Sequence, residues 1–296
     1  MRLNPLVPLS LLGALVPGLT ASAARQDPCL EGIRARDIQA HVDFLASDEL
    51  QGRYAKSNEA RIAARYVAAC FATYGLEPRG DEDTWFQSIG EDFAPNVVGF
   101  VQGSSDECVV LSAHFDHLKP AEKGDDRIFN GADDNASGTA ALLELAQAFG
   151  ARPEPPSRSI LFVAFTAEEM GLRGSYFFVD HAPVELTTLI GDINMDMVSR
   201  GEENLIFCEA GEGSEHLVEA ARAHAEEVGL ELRVGQHSEW IKQSDQYPFV
   251  KKKVPALYLG VEDHVDYHQV SDHADKILPV LTERVARLVY RMVETL

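Results

Sequence analysis

Residues 159–175 read SILFVAFTAEEMGLRGS. The first seven, Ser159 to Phe165, form an apolar, aromatic and branched run without polar alternation, which is the pattern of a strand covered on both faces. Just beyond it the chain places two adjacent carboxylates, Glu168 and Glu169, at the inner end of its core. The same arrangement recurs three times. CVVLSA leads to His114 and Asp116, TLIGDINM leads to Asp196, and VPALYLG leads into a loop that carries Tyr267 and His268. Each set stands at the carboxyl end of an expected strand. In an open α/β sheet that edge is where ligands bind, so residues distant in sequence are expected to converge there.

Between these strands lie helical patterns over residues 34–50, 58–74, 139–150, 172–181 and 214–229, with a last helix from about Lys276. The alternation predicts an α/β fold: a three-layer sandwich with a mixed, mostly parallel twisted sheet and helices on both faces. NVVGFVQG and CVVLSAHFDH, joined by the polar GSSDE, read as a hairpin. Residues 119–138, KPAEKGDDRIFNGADDNASG, form a loop long enough to be functional, and Asp133 and Asp134 lie in it.

The chain has 296 residues, 45% of them hydrophobic, enough for one large core. Residues 1–24 combine Arg2, a proline-interrupted apolar stretch and an A-x-A ending, so they read as a secretory signal peptide. Residues 25–296 are then expected to form a single catalytic domain in an exported protein, periplasmic or extracellular. Elsewhere no window reaches the ~20 apolar residues of a spanning helix, so no membrane contact is expected. The net charge of −21 repels nucleic acid. Cys29, Cys70, Cys108 and Cys208 show no CxxC spacing, which argues against a thiolate metal site and leaves three disulfide pairings open.

Two histidines and four or more carboxylates at one sheet edge form a donor set for one or two cations, and the imidazoles favour zinc. Without a cation the crowding is costly: at ~4 Å and an effective dielectric of ~20, each like-charge pair costs about 4 kcal/mol. Alternation along a strand sends neighbouring side chains to opposite sides, so one of the paired glutamates can bind a metal while the other acts as a general base. Glu169 is assigned as ligand and Glu168 as base, though periodicity does not order the two. His117 sits at the same rim and reads as a structural or solvent-facing residue ahead of a metal ligand, Asp133 as a loop-forming or outer carboxylate, and His264 as a surface or capping residue.

AHFDHL, GADDNASG, AEEMGLRGS, NMDM and DYHQVSD, in this order, resemble the metal-site motifs of the co-catalytic zinc exopeptidases of clan MH, such as bacterial leucyl aminopeptidases, aminopeptidase Y and glutamate carboxypeptidase. The resemblance runs from about Asn96 to the C-terminus. It implies two Zn²⁺ per chain, with His114 and Asp196 on one, Glu169 and His268 on the other, and Asp134 bridging. It further implies Glu168 as base, Asp116 as the carboxylate that orients His114, and Tyr267 as a group polarising the substrate carbonyl. A cis peptide after the bridging aspartate, here Asp134–Asn135, is common in that family.

The implied activity is that of an aminopeptidase, which removes N-terminal residues from peptides with a free N-terminus through hydroxide shared by two zinc ions. The alternatives are a glutaminyl cyclase type with one zinc, and a carboxypeptidase, which needs a cationic pocket that the sequence does not place, although Arg173 and Arg200 lie near the right loops. A binding protein without catalysis would have lost ligands, and all five are present. No GxSxG and no HExxH occurs, which argues against a serine hydrolase and a zincin. Two departures stand out: the chain reads SDQYPF where relatives often have SDH, leaving the role of Gln246 open, and only WFQSIGEDFAP occupies the place where larger relatives insert a protease-associated domain.

Overall fold

The computed structural model describes Met1 and residues 27–296; the expected signal peptide lies outside the described residues. Its elements are α1 (Ala35–Leu45), α2 (Asn58–Thr73), β1 (Glu77–Pro78), β2 (Phe86–Gln87), β3 (Asn96–Val101), β4 (Cys108–His114), α3 (Gly138–Gly150) and β5 (Ser159–Phe165). These are followed by α4 (Arg173–Asp180), β6 (Leu189–Met195), β7 (Leu205–Ala210), α5 (Glu215–His224), β8 (Glu231–Val234), α6 (Gln246–Lys251), β9 (Ala256–Gly260) and α7 (Pro279–Thr295). All strands join one sheet in the order β1-β3-β5-β4-β6-β9-β7-β8, with β2 also on β3.

The four central strands, β5-β4-β6-β9, are parallel, and antiparallel pairs flank them at β3-β5 and β7-β9. This is the expected mixed sheet, parallel at its centre, with β7-β8 as a fourth parallel pair and antiparallel pairs also at β1-β3 and β2-β3. Period-two alternation divides the core accordingly. Val109, Leu111 and Ala113 of β4 face a large cluster that includes the buried sides of α1, α2, α3, α5 and α7. Cys108 and Val110 face a smaller cluster with Phe178 of α4 and Phe249 of α6.

The expected hairpin does not form. β5 lies between β3 and β4, so β3 pairs antiparallel with β5 and never with β4. Every residue of β4 is buried, and a strand without a solvent face needs neighbours on both edges, which a hairpin partner alone does not supply. The connection passes the start of β5 instead: Gly103 abuts the Arg158–Ser159 backbone so closely that a Cβ there would collide with the Arg158 carbonyl carbon. None of the three disulfide pairings is present either, since all four cysteines are free thiols. Burial pushes the Cys108 and Cys208 thiols up to about 12, as expected of inert core residues.

Candidate metal centre and active site

Because β5, β4, β6 and β9 run parallel, their carboxyl ends share one edge, and the metal-type side chains gather there. His114 is the last residue of β4, Asp196 follows β6, and His268 lies eight residues past Gly260 at the end of β9. Asp134 arrives from the long loop, just ahead of α3, and a cis peptide joins it to Asn135.

The donors fall into two groups. In the first, His114 Nε2 stands 3.4 Å from Asp134 Oδ1 and 3.2 Å from Asp196 Oδ1. In the second, His268 Nε2 stands 3.1 Å from Asp134 Oδ2 and 3.2 Å from Glu169 Oε1. Asp134 thus turns one oxygen to each group. His117 joins the second group, with Nδ1 2.8 Å from Glu169 Oε1 and 3.5 Å from Asp134 Oδ2. The structural reading of His117 from sequence missed this placement; the signal was its position three residues after His114 on the same strand exit.

Three carboxylates meeting three imidazoles, with the Glu168 carboxyl close by, need positive charge. Burial works against a charged His114, yet Asp196 and Glu168 outweigh it and hold the imidazole well above its usual range. Burial opposes charge on His268 too, but Asp134 and Glu169 push it up to about 10. Asp134, though buried, is held well below the carboxylate range by His117, His114 and His268. Protons on the rings thus supply the charge that a divalent ion would replace. Nitrogen and oxygen donors with no sulfur, packed this tightly, fit zinc.

The paired glutamates do not lie on the strand. β5 ends at Phe165, and a turn with Ala167 at φ +56° carries them, closed by the N–H groups of Gly171 and Leu172 on the Glu168 carbonyl. Turn geometry, not strand alternation, is what sends Glu169 to the second group and leaves Glu168 outside both. Burial, reinforced by Asp245 and Asp196, holds Glu168 well above the usual carboxylate range despite the opposing pull of His114.

Asp116 supports His114 mainly through its backbone. His114 Nδ1 donates to the Asp116 carbonyl at 3.1 Å, whereas the carboxylate Oδ1 lies 3.8 Å away and accepts the Glu168 N–H at 3.1 Å. That bond fixes the tautomer and leaves Nε2 free as a donor to a metal. Asp133 accepts from the Ser199 N–H at 2.7 Å and from His264 Nε2 at 3.1 Å. His264 is therefore an anchor of the loop that carries His268, and nothing in its spacing announced it. Asp272 Oδ2 ties the same loop to the bridging residue by accepting the N–H groups of Asp133 (2.9 Å) and Asp134 (3.2 Å).

A cavity opens over the clusters, with Met197, Trp240, Tyr258, Val261 and Tyr267 among its walls. Tyr267 stacks on His268 with ring centroids 4.0 Å apart. Gln246 faces inward beneath the wall: its Oε1 accepts from Asn194 Nδ2 at 3.0 Å and its Nε2 donates to the Trp240 carbonyl at 2.7 Å. Of the two arginines considered for a substrate carboxylate, Arg200 is paired with Asp266 at 2.6 Å, and Arg173 donates to the Met170 carbonyl.

Residues 96–293 match the model of peptidase family M28. The chain belongs to that family. An M28 relative, aminopeptidase YwaD of Bacillus subtilis, is 32% identical over 162 residues, which cover 52% of this chain and 32% of that one. The chain therefore spans about a third of that relative's length. Among solved structures, BSAP, a zinc aminopeptidase from Bacillus subtilis, superposes with a TM-score of 0.72 at 17% identity, covering 89% of this chain and 95% of that one. A glutaminyl cyclase from Bacteroides thetaiotaomicron superposes with a TM-score of 0.68 at 17% identity, covering 89% and 98%. These two likenesses establish the α/β fold of this M28 chain. Among the described residues no helix is long and apolar enough to cross a membrane.

Proposed function

We propose that this M28 chain is an exported zinc aminopeptidase acting on peptides with a free N-terminus. The observation that carries the reading is the division of Asp134, one oxygen toward His114 and Asp196 and the other toward Glu169 and His268, beside a cavity of mixed lining whose apolar walls are Met197, Trp240 and Val261. His114, Asp134 and Asp196 would hold one zinc, and Asp134, Glu169 and His268 the other. Zinc in such a site polarises a carbonyl and brings the pKa of water to ~7.

The residues divide the remaining work. The apolar walls receive the side chain of the N-terminal residue, and the carboxylates around Asp134 and Glu169 attract its ammonium group. Glu168, outside both donor groups and prone to hold a proton, takes one from the attacking water and returns it to the departing amine. Tyr267, kept protonated by burial and by Asp134 and Asp196, offers its hydroxyl to the scissile carbonyl. A carboxypeptidase reading is disfavoured because Arg200 is already committed to Asp266. A cyclase reading calls for one zinc, whereas the donors here form two groups.

A panel of aminoacyl anilides, run with and without chelator beside N-terminal glutaminyl peptides, tests the reading. Chelator-sensitive anilide hydrolysis with two zinc ions per chain is the expected result. Cyclisation without hydrolysis, at one zinc per chain, overturns it.

A further inference from the structure

His117 is fully buried, and neither of its ring nitrogens has a hydrogen-bond partner; the Glu169 Oε1 that faces Nδ1 lacks one as well. Leaving such groups unpaired in a core is costly unless something else satisfies them. The fold also makes room for this ring. Gly131, at φ +58°, lies so close that a Cβ on it would come within 2.6 Å of His117 Cγ and Cδ2.

The distances around His117 are those of a coordination shell. In a tetrahedral zinc site with bonds of 2.0–2.1 Å, neighbouring donor atoms are about 3.3 Å apart. His117 Nδ1 lies 2.8 Å from Glu169 Oε1 and 3.5 Å from Asp134 Oδ2, and His268 Nε2 lies 3.1 Å from Asp134 Oδ2 and 3.2 Å from Glu169 Oε1. The four atoms lie mutually within 4.8 Å. The other group has only His114, Asp134 and Asp196.

We propose that His117 is a metal ligand through Nδ1, completing a four-donor site with Asp134, Glu169 and His268 and leaving the three-donor His114 site as the one with an open position. Protein-saturated sites hold zinc structurally, while three-ligand sites keep a place for water and substrate. The two ions are therefore unequal: the first is locked behind two imidazoles and two carboxylates, and the second is the exchangeable one. The inference rests on the zinc reading of the clusters and not on peptidase activity.

Zinc titration of the metal-stripped full chain, followed by calorimetry and by competition with a chromophoric chelator, tests it. The wild-type chain is expected to show a tight and a weaker class. His117→Ala should weaken the tight class by more than ~100-fold, beyond the ~10–100-fold typical of residues that only support a ligand, and leave the weaker class within about twofold. Asp196→Asn should do the reverse. His117→Leu, which preserves bulk without a donor, guards against a folding defect, and the cobalt-loaded chain should lose its intense tetrahedral absorption in both His117 variants. Wild-type affinities in both His117 variants, or a loss confined to the class removed by Asp196→Asn, overturn the assignment. Anilide assays on the wild-type protein separate the two ideas. Inactive wild type with the expected titration defeats the peptidase reading alone, and active wild type with unchanged His117 variants defeats the ligand alone.

Discussion

Arg53 and Gly131 are joined inside the protein: Nη2 of the guanidinium donates to the Gly131 carbonyl at 2.9 Å, three residues ahead of Asp134. The same side chain donates to the carbonyls of Asn130 and Phe115, both at 2.7 Å, and to that of Leu45. It is fully buried without a carboxylate in contact, and burial pulls it down to about 10 although Asp134 and Asp116 oppose the loss of its charge. One cation thus braces the exit of β4 against the loop that delivers the bridging residue. Arg53→Met strands four buried carbonyls and should destabilise the fold by at least ~4 kcal/mol, at ~1–3 kcal/mol per unsatisfied group. Arg53→Lys should recover only part of this, since an ammonium cannot reproduce the planar fork. Urea unfolding with an unchanged m-value is the check.

Glu168→Gln should lower kcat by a factor of ~10²–10⁴, the usual contribution of a positioned general base. Zinc content should stay at the wild-type value because Glu168 belongs to neither donor group. Metal analysis beside steady-state kinetics on a leucyl anilide decides it. A variant that turns over normally removes Glu168 from the mechanism.

Asp192 should make stability fall as pH rises. It is fully buried, and Ser112 Oγ lies 2.7 Å from its Oδ1 and 3.1 Å from Asn194 Oδ1. One hydroxyl proton cannot serve both acceptors, so a protonated Asp192 completes the count. Burial, aided by Asp245, accordingly holds this carboxyl well above its usual range. Its stabilising contribution is complete below the unfolded value of about 3.9 and is lost as pH climbs toward the raised folded value. Asp192→Asn keeps the shape without the titration, so its stability relative to wild type should grow between about pH 5 and about pH 8. Unfolding curves for both proteins at the two pH values suffice.

Trp240 should set which N-terminal residues are accepted. Its ring stacks on His237 with centroids 3.9 Å apart and meets Tyr258 edge-on, forming a rigid wall of the cavity. Trp240→Ala should raise KM for leucyl and phenylalanyl anilides by ~10–200-fold, the range of a lost apolar pocket contact, and leave alanyl anilide nearly unchanged. Equal effects on all three would mean that the side chain enters elsewhere.

The sheet and its functional edge were legible because uninterrupted apolar runs such as SILFVAF end directly at polar residues, and strand length and direction then bring those residues together. The pairing of β3 was not legible. Burial on both faces says that a strand is central but not which strand is its neighbour, and a short polar turn fits a step across one strand as well as a reversal. Arg53 and His264 escaped because each acts through partners 62–131 positions away in the chain, such as Phe115 and Asp133, with no local spacing to betray them. His117 was visible as a residue type at the right rim, but only three-dimensional placement beside Glu169 and Gly131 separates a donor from a packed core histidine.

Asp134 cannot serve one group without affecting the other, since its two oxygens belong to a single carboxylate. Occupancy of the two clusters is therefore reciprocal: whatever factor the first cation imposes on the affinity for the second, the second imposes on the first. The coupling passes through Asp134, so a substitution there should alter cooperativity equally for either order of loading, whereas loss of a donor private to one cluster leaves the intrinsic affinity of the other in place.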